Sequence, residues 1–111
     1  MKWSELNASE RANLINEHIF AGNSPIIPYF NVYSDESKFA LLEFVMVRME
    51  EIDCPFTELV WMYPRRNPGE KQFGAKFWCK KLNTESWGFA ANPADAMLEA
   101  AVLAALGRLS L

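Results

Sequence analysis

The stretch Pro55-Phe56-Thr57-Glu58-Leu59-Val60-Trp61-Met62-Tyr63 decides the fold, because there the apolar repeat changes from the period of a helix to that of a strand. From Phe56 to Tyr63, Thr57, Leu59, Trp61 and Tyr63 fall on one side and Phe56, Glu58, Val60 and Met62 on the other. The following Tyr63-Pro64-Arg65-Arg66-Asn67-Pro68-Gly69-Glu70 is dense in turn formers and predicts an exposed hairpin loop. A second strand is expected over Phe73 to Lys80, with Phe73, Ala75, Phe77 and Cys79 inward and Gly74, Lys76, Trp78 and Lys80 outward. Lys81 to Glu85 turns the chain, and Ser86 to Ala90 gives a third short strand carrying Trp87 and Phe89. Three such strands in succession form an antiparallel meander.

Helices flank this sheet in the sequence. Downstream, Asn92 at N-cap, Pro93 at the first helical position and Asp95 two residues later start a helix that Gly107 should stop. Its alanines at 94, 96, 100, 101, 104 and 105 alternate with Met97, Leu98, Val102, Leu103 and Leu106, so it can approach a sheet or another helix closely. Upstream, Ser34 and Asp35 cap a helix reaching about Glu51, with Phe39, Leu42, Val45, Met46 and Met49 at helical spacing. Leu41, Phe44 and Val47 widen its apolar sector beyond what one sheet face needs, so part of it must be covered by the first helix or by a second copy of the chain.

The first helix runs from about Asn7 to Phe20, with Asn7 and Glu10 placed as a capping box and Gly22 as its stop. Leu14, Ile15, His18 and Ile19 form its expected buried face, and Arg11, Asn13, Asn16 and Glu17 turn to water. Between the two helices, residues 23–33 contain Pro25 and Pro28, which forbid a helix and allow at most an edge strand. The expected fold class is therefore α+β, a three-stranded antiparallel meander with room for a fourth edge strand, packed with three helices in a sandwich.

A chain of 111 residues with 50% hydrophobic and 23% charged residues fits one domain, residues 1–111, with its own core. No uninterrupted apolar run of about 18 residues exists and MKWSELNASER is polar, so neither a membrane span nor a secretory signal is expected. The net charge of −3 is too mild for strong duplex nucleic-acid binding. Its distribution is uneven: residues 1–53 hold four Lys and Arg against nine Asp and Glu, whereas residues 54–91 hold six against three. Cys54 and Cys79, 25 apart and without a CxxC, indicate neither a zinc site nor a disulfide framework, and read as small core residues of a protein from a reducing cytoplasm.

Strings in the opening and closing parts of the chain carry a resemblance. Leu14-Ile15-Asn16-Glu17-His18-Ile19-Phe20-Ala21-Gly22, with Pro28-Tyr29, Tyr33-Ser34-Asp35 and Ser37-Lys38-Phe39-Ala40, resembles the opening of the phage ABA sandwich domain family of small bacteriophage and prophage proteins. The string from Ala91 to Ala104, with its proline start and alanine pairs, is similar to that family's closing helix. The resemblance implies a phage origin, action in the host bacterial cytoplasm and an α+β sandwich, and it transfers no common activity or binding residue.

Catalytic constellations are not apparent. His18 lies on the apolar side of the first helix with no nucleophile or carboxylate tied to it by spacing, and isolated Gly69, Gly74 and Gly88 make no phosphate loop. No catalytic residue, metal or cofactor is expected. Glu50, Glu51 and Asp53 oppose the dipole at the end of their helix and read as a solvated terminus. The cluster above background is basic and aromatic: Arg65, Arg66, Lys76, Trp78 and Lys80, where tryptophan can stack on a base and cations meet phosphates. The first expectation is a non-enzymatic binding protein that inhibits a host defence or regulatory protein, as a homodimer using Leu41, Phe44 and Val47 as its interface. The alternatives are a sponge sequestering a nucleotide immune signal through the basic hairpin, and a minor structural component of the virion.

Overall fold

The computed structural model describes residues 3–20, 35–62 and 71–109. A short turn of 3-10 helix, Trp3–Glu5, leads into α1, Ala8–Leu14, which continues as a π-helical turn, Ile15–Ile19. Then follow α2 (Asp35–Glu51), β1 (Phe56–Met62), β2 (Gln72–Cys79), β3 (Thr84–Ala90) and α3 (Pro93–Leu109). The strands form an antiparallel sheet of order β1-β2-β3, so the α+β sandwich expected from the periodicities is the observed architecture. Residues 23–33, the site of the expected edge strand, and Tyr63–Glu70, the hairpin loop with Arg65 and Arg66, lie outside the described residues.

The starts of α1 and α3 obey their capping signals. Asn7 accepts the Glu10 amide at 2.9 Å and the Glu10 carboxylate accepts the Asn7 amide at 3.1 Å, closing the capping box. The Asn92 side chain accepts the Asp95 amide at 2.9 Å, as its N-cap position requires. Contrary to the expected stop, α3 runs through Gly107 to Leu109. At the end of α2, the Cys54 amide reaches back to the Met49 carbonyl and the Asp53 amide to that of Glu50, with Asp53 left-handed at φ 61°. That is a Schellman cap with an aspartate where glycine is usual.

α3 is the centre of the molecule. Ala94, Ala96, Leu98, Ala100, Ala101, Val102, Ala104 and Ala105 are all buried around its circumference, because the sheet lies on one side and α2 with the π turn on the other. The sheet-facing side of α3 meets Gly88 of β3, where a Cβ would stand 2.5 Å from the Ala100 nitrogen and closer still to the Ala96 carbonyl oxygen. Opposite Gly88 in the register is Ala75, which is fully buried. On the far side, Ile15 and Ile19 of the π turn and Leu41, Leu42, Val45 and Met49 of α2 complete the core.

Three expectations are corrected at the helices. Arg11, expected in water, is 8% exposed: its Nε donates to the Trp3 carbonyl at 3.1 Å and its guanidinium lies 5.2 Å from the Trp3 ring centre. It faces Asp95 at 3.8 Å, which also holds the buried Lys38 ammonium at 3.0 Å, so one carboxylate in the first turn of α3 draws cations from α1 and α2. Phe39, placed with the core by its spacing, is exposed. Leu41, assigned to an interface, is completely buried and belongs to the core.

The cysteines are also corrected. Trp78 and Lys80 of the β2 end donate to the carbonyls of Pro55 and Asp53, so the ladder extends past β1 and sets Cys54 directly opposite Cys79 in a non-hydrogen-bonded pair. Such pairs bring Cα atoms to about 4.5 Å. Here the separation is 4.2 Å and the two cysteines form a disulfide, buried beside the Ala104 carbonyl. Spacing along the chain does not reveal this, because it depends on the register reached after the α2 cap. The disulfide replaces the two separate core cysteines expected from the sequence, and no helix among the described residues is long and apolar enough to cross a membrane.

Two outcomes are expected. Gly88→Ala should cost about 2–3 kcal/mol, since the added methyl meets helix backbone rather than a movable side chain, as measured by urea denaturation. The purified chain should weigh about 2 Da less than its fully reduced form. Opening the bond, which spans 25 residues, should lower stability by roughly 3–4 kcal/mol on the loop-entropy model.

Candidate protein-binding surface

Two surfaces carry the residues singled out in the sequence. On the sheet, the side chains alternate so that Phe73, Ala75, Phe77 and Cys79 of β2 face α3, as expected, and Lys76 and Trp78 face away. The register lays Glu58 of β1 directly opposite Lys76 and Trp87 of β3 opposite it on the other side, with Glu85 opposite Trp78. Trp87 and Phe89 stack in parallel at 5.9 Å, and both Phe89 and Met62 close over Gly74. The outer face is thus an aromatic patch with one lysine at its centre.

That lysine is already engaged. Its Nζ lies 3.2 Å from Glu58 and 3.4 Å from Glu85, and 5.6 Å from the Trp87 ring centre, with the side chain only 16% exposed. Hydrogen bonding to the Glu58 carboxylate outweighs the opposing desolvation and, with the charges of Glu58 and Glu85, raises its pKa above the ordinary 10.5. Two carboxylates around one ammonium leave this face locally negative, the wrong sign for a phosphate. Of the candidate ligand residues, the structure therefore brings Lys76 and Trp78 onto one face but surrounds Lys76 with acids. Lys80 is exposed in the β2–β3 turn, and Arg65 and Arg66 lie outside the described residues. Glu58 and Glu85 are missed in sequence because 18 and 9 residues separate them from Lys76, and only the strand register makes them neighbours.

The second surface is on α2. Phe44 and Val47 stand 43% and 60% exposed, one turn apart, and Phe39, five residues before Phe44, is 56% exposed. Phe44 and Val47, together with Phe20, Glu43, Arg48 and Glu51, line a groove of about 440 Å³. Arg48 builds its wall: Nε donates to the Ile19 carbonyl at 2.9 Å, tying α2 to the end of the π turn, and Nη1 pairs with Glu51 at 3.1 Å. Phe44 and Val47, two of the three expected interface residues, are thus presented to solvent, and Leu41 is not. The period of α2 gives the width of the apolar sector but not which part remains open, since that depends on where α3 and the π turn settle.

A second apolar exposure lies on β1. Leu59 and Trp61 pair with Ala75 and Phe73 on the α3 side of the sheet, yet are 40% and 52% exposed because α3 is centred on β2 and β3. Trp61 leans on Phe73, ring centres 4.8 Å apart. His18 is partly exposed, 3.9 Å from the Glu17 carboxylate, and among the described residues no group of acidic, histidine and cysteine side chains could hold a metal ion.

Comparison with family models, curated proteins and solved structures finds no match to this chain.

The lysine site has a direct check. A pKa raised on folding contributes stability that is complete below the unfolded value and lost as pH rises through the folded one. As pH rises above about 10.4 the wild type should therefore lose stability that Lys76→Gln lacks at every pH, so their thermal midpoints should converge in the alkaline scan.

Proposed function

We propose that this chain is a small non-enzymatic binding protein that acts by stoichiometric occupation of a protein partner through the exposed face of α2. The observation that carries the reading is the contrast along one helix: Leu41, Leu42, Val45 and Met49 are buried, while Phe44 and Val47 are held in water in the lining of a groove. A contiguous apolar patch with a polar rim is the usual sign of an interaction surface. The resemblance of the opening and closing helices to the phage ABA sandwich domain implies a phage origin, for which a bacterial host protein is the natural partner, and the outcome we propose is inhibition of a defence or regulatory protein. The nucleotide-sponge reading loses its central cation, because Lys76 is committed to Glu58 and Glu85.

Capture from host lysate with three baits tests this. Wild type and Lys80→Glu should retain the same protein at a one-to-one ratio per chain by native mass spectrometry, and Val47→Glu should lose it. Equal capture by all three baits, or a retained nucleotide in place of a protein, would count against the reading.

A further inference from the structure

We infer that the α2 groove takes a cationic amphipathic helix of the partner, an inference that rests on the protein-binding reading above. The groove runs along a helix, and its apolar floor, Phe44 and Val47, has the i, i+3 spacing that one turn of a second helix matches when it packs at about 8–10 Å. On α2 the lining runs from Glu43 to Glu51, roughly 12 Å or about two turns. The ends of the floor are acidic. Glu43 and Glu51 both line it, against the single guanidinium of Arg48, which pairs with Glu51 at 3.1 Å, so the lining keeps a net charge of −1. A partner helix with leucine-like anchors flanked by lysine or arginine fills the floor and meets the rim with opposite charge.

The same rim argues against a second copy of the chain. Packing α2 on its twofold mate in antiparallel fashion about Val47 sets Glu43 against Glu51 of the mate at both ends, and a parallel pairing sets each glutamate against its own copy. Either arrangement buries an apolar strip at the cost of juxtaposed carboxylates. The face is therefore complementary to a basic helix and not to itself, and the chain should be monomeric.

The test uses a synthetic fluorescent peptide of about five helical turns with leucines on one face and lysines on its flanks, and a second peptide with glutamates replacing the lysines. By fluorescence anisotropy, wild type should bind the lysine peptide and not the glutamate peptide. Val47→Glu, which stays folded by circular dichroism because Val47 is exposed, should weaken binding by about tenfold or more, the effect of placing one charge in an apolar contact. The double variant Glu43→Gln, Glu51→Gln should weaken it and flatten its salt dependence. Binding that survives Val47→Glu unchanged means general charge attraction and overturns the inference. A wild-type dimer in sedimentation that Val47→Glu dissolves also overturns it, in favour of a second copy. If neither peptide binds while lysate capture still depends on Val47, the cationic helix is wrong and the protein-binding reading stands.

Discussion

At Gly88 the backbone of β3 meets the backbone of α3 with no side chain between them, and the rest of the molecule is arranged around that contact. Only glycine allows it, and alanines on the helix extend the same close approach. Seated so low, α3 buries its whole circumference: the sheet takes one side, and α2 and the π turn take the other. A helix that apolar could not remain at a surface. Asp95 then fixes the angle of entry, because its carboxylate sits in the first turn of α3 and attracts Lys38 from α2 and Arg11 from α1 into a nearly dry site.

The same seating leaves surfaces open. Because α3 centres on β2 and β3, the α3 side of β1 keeps Leu59 and Trp61 half in water, and because α2 turns Leu41, Val45 and Met49 toward α3, its opposite side keeps Phe44 and Val47 there. The outer sheet face solves its own problem differently, by closing aromatic rings over Gly74 and neutralising its lysine with acids from both neighbouring strands. What distinguishes the α2 face is that its apolar floor lies in a groove with an acidic rim, a shape with a chemical preference rather than merely an exposed residue.

Much of this fold is legible in the sequence, for reasons that are local. The strand period from Phe56, the Asn7 and Asn92 caps and the alanine pattern of α3 all act within a few residues of each other. Gly107 misleads because a glycine near a helix end can also sit inside it where nothing crowds the backbone. The site is less legible, because its meaning depends on distant partners. Lys76 looks like a free cation until the register sets Glu58 and Glu85 beside it, and Cys54 and Cys79 look independent until the α2 cap and the β2 ladder place them face to face. Leu41, Phe44 and Val47 share one apolar sector in the sequence, and only the packing of α3 separates the buried one from the two exposed ones.

The central claim is that α2, and not the aromatic sheet face, is where this protein meets its partner. Amide hydrogen exchange on the free chain and on the chain saturated with the leucine-lysine peptide tests it most directly. Added protection confined to α2 from Glu43 to Glu51 and to the π turn, with β1 and β3 exchanging as before, is the expected result. Protection gained over Thr84–Ala90 and Phe56–Met62 with α2 unchanged would contradict it and move the binding surface to the sheet.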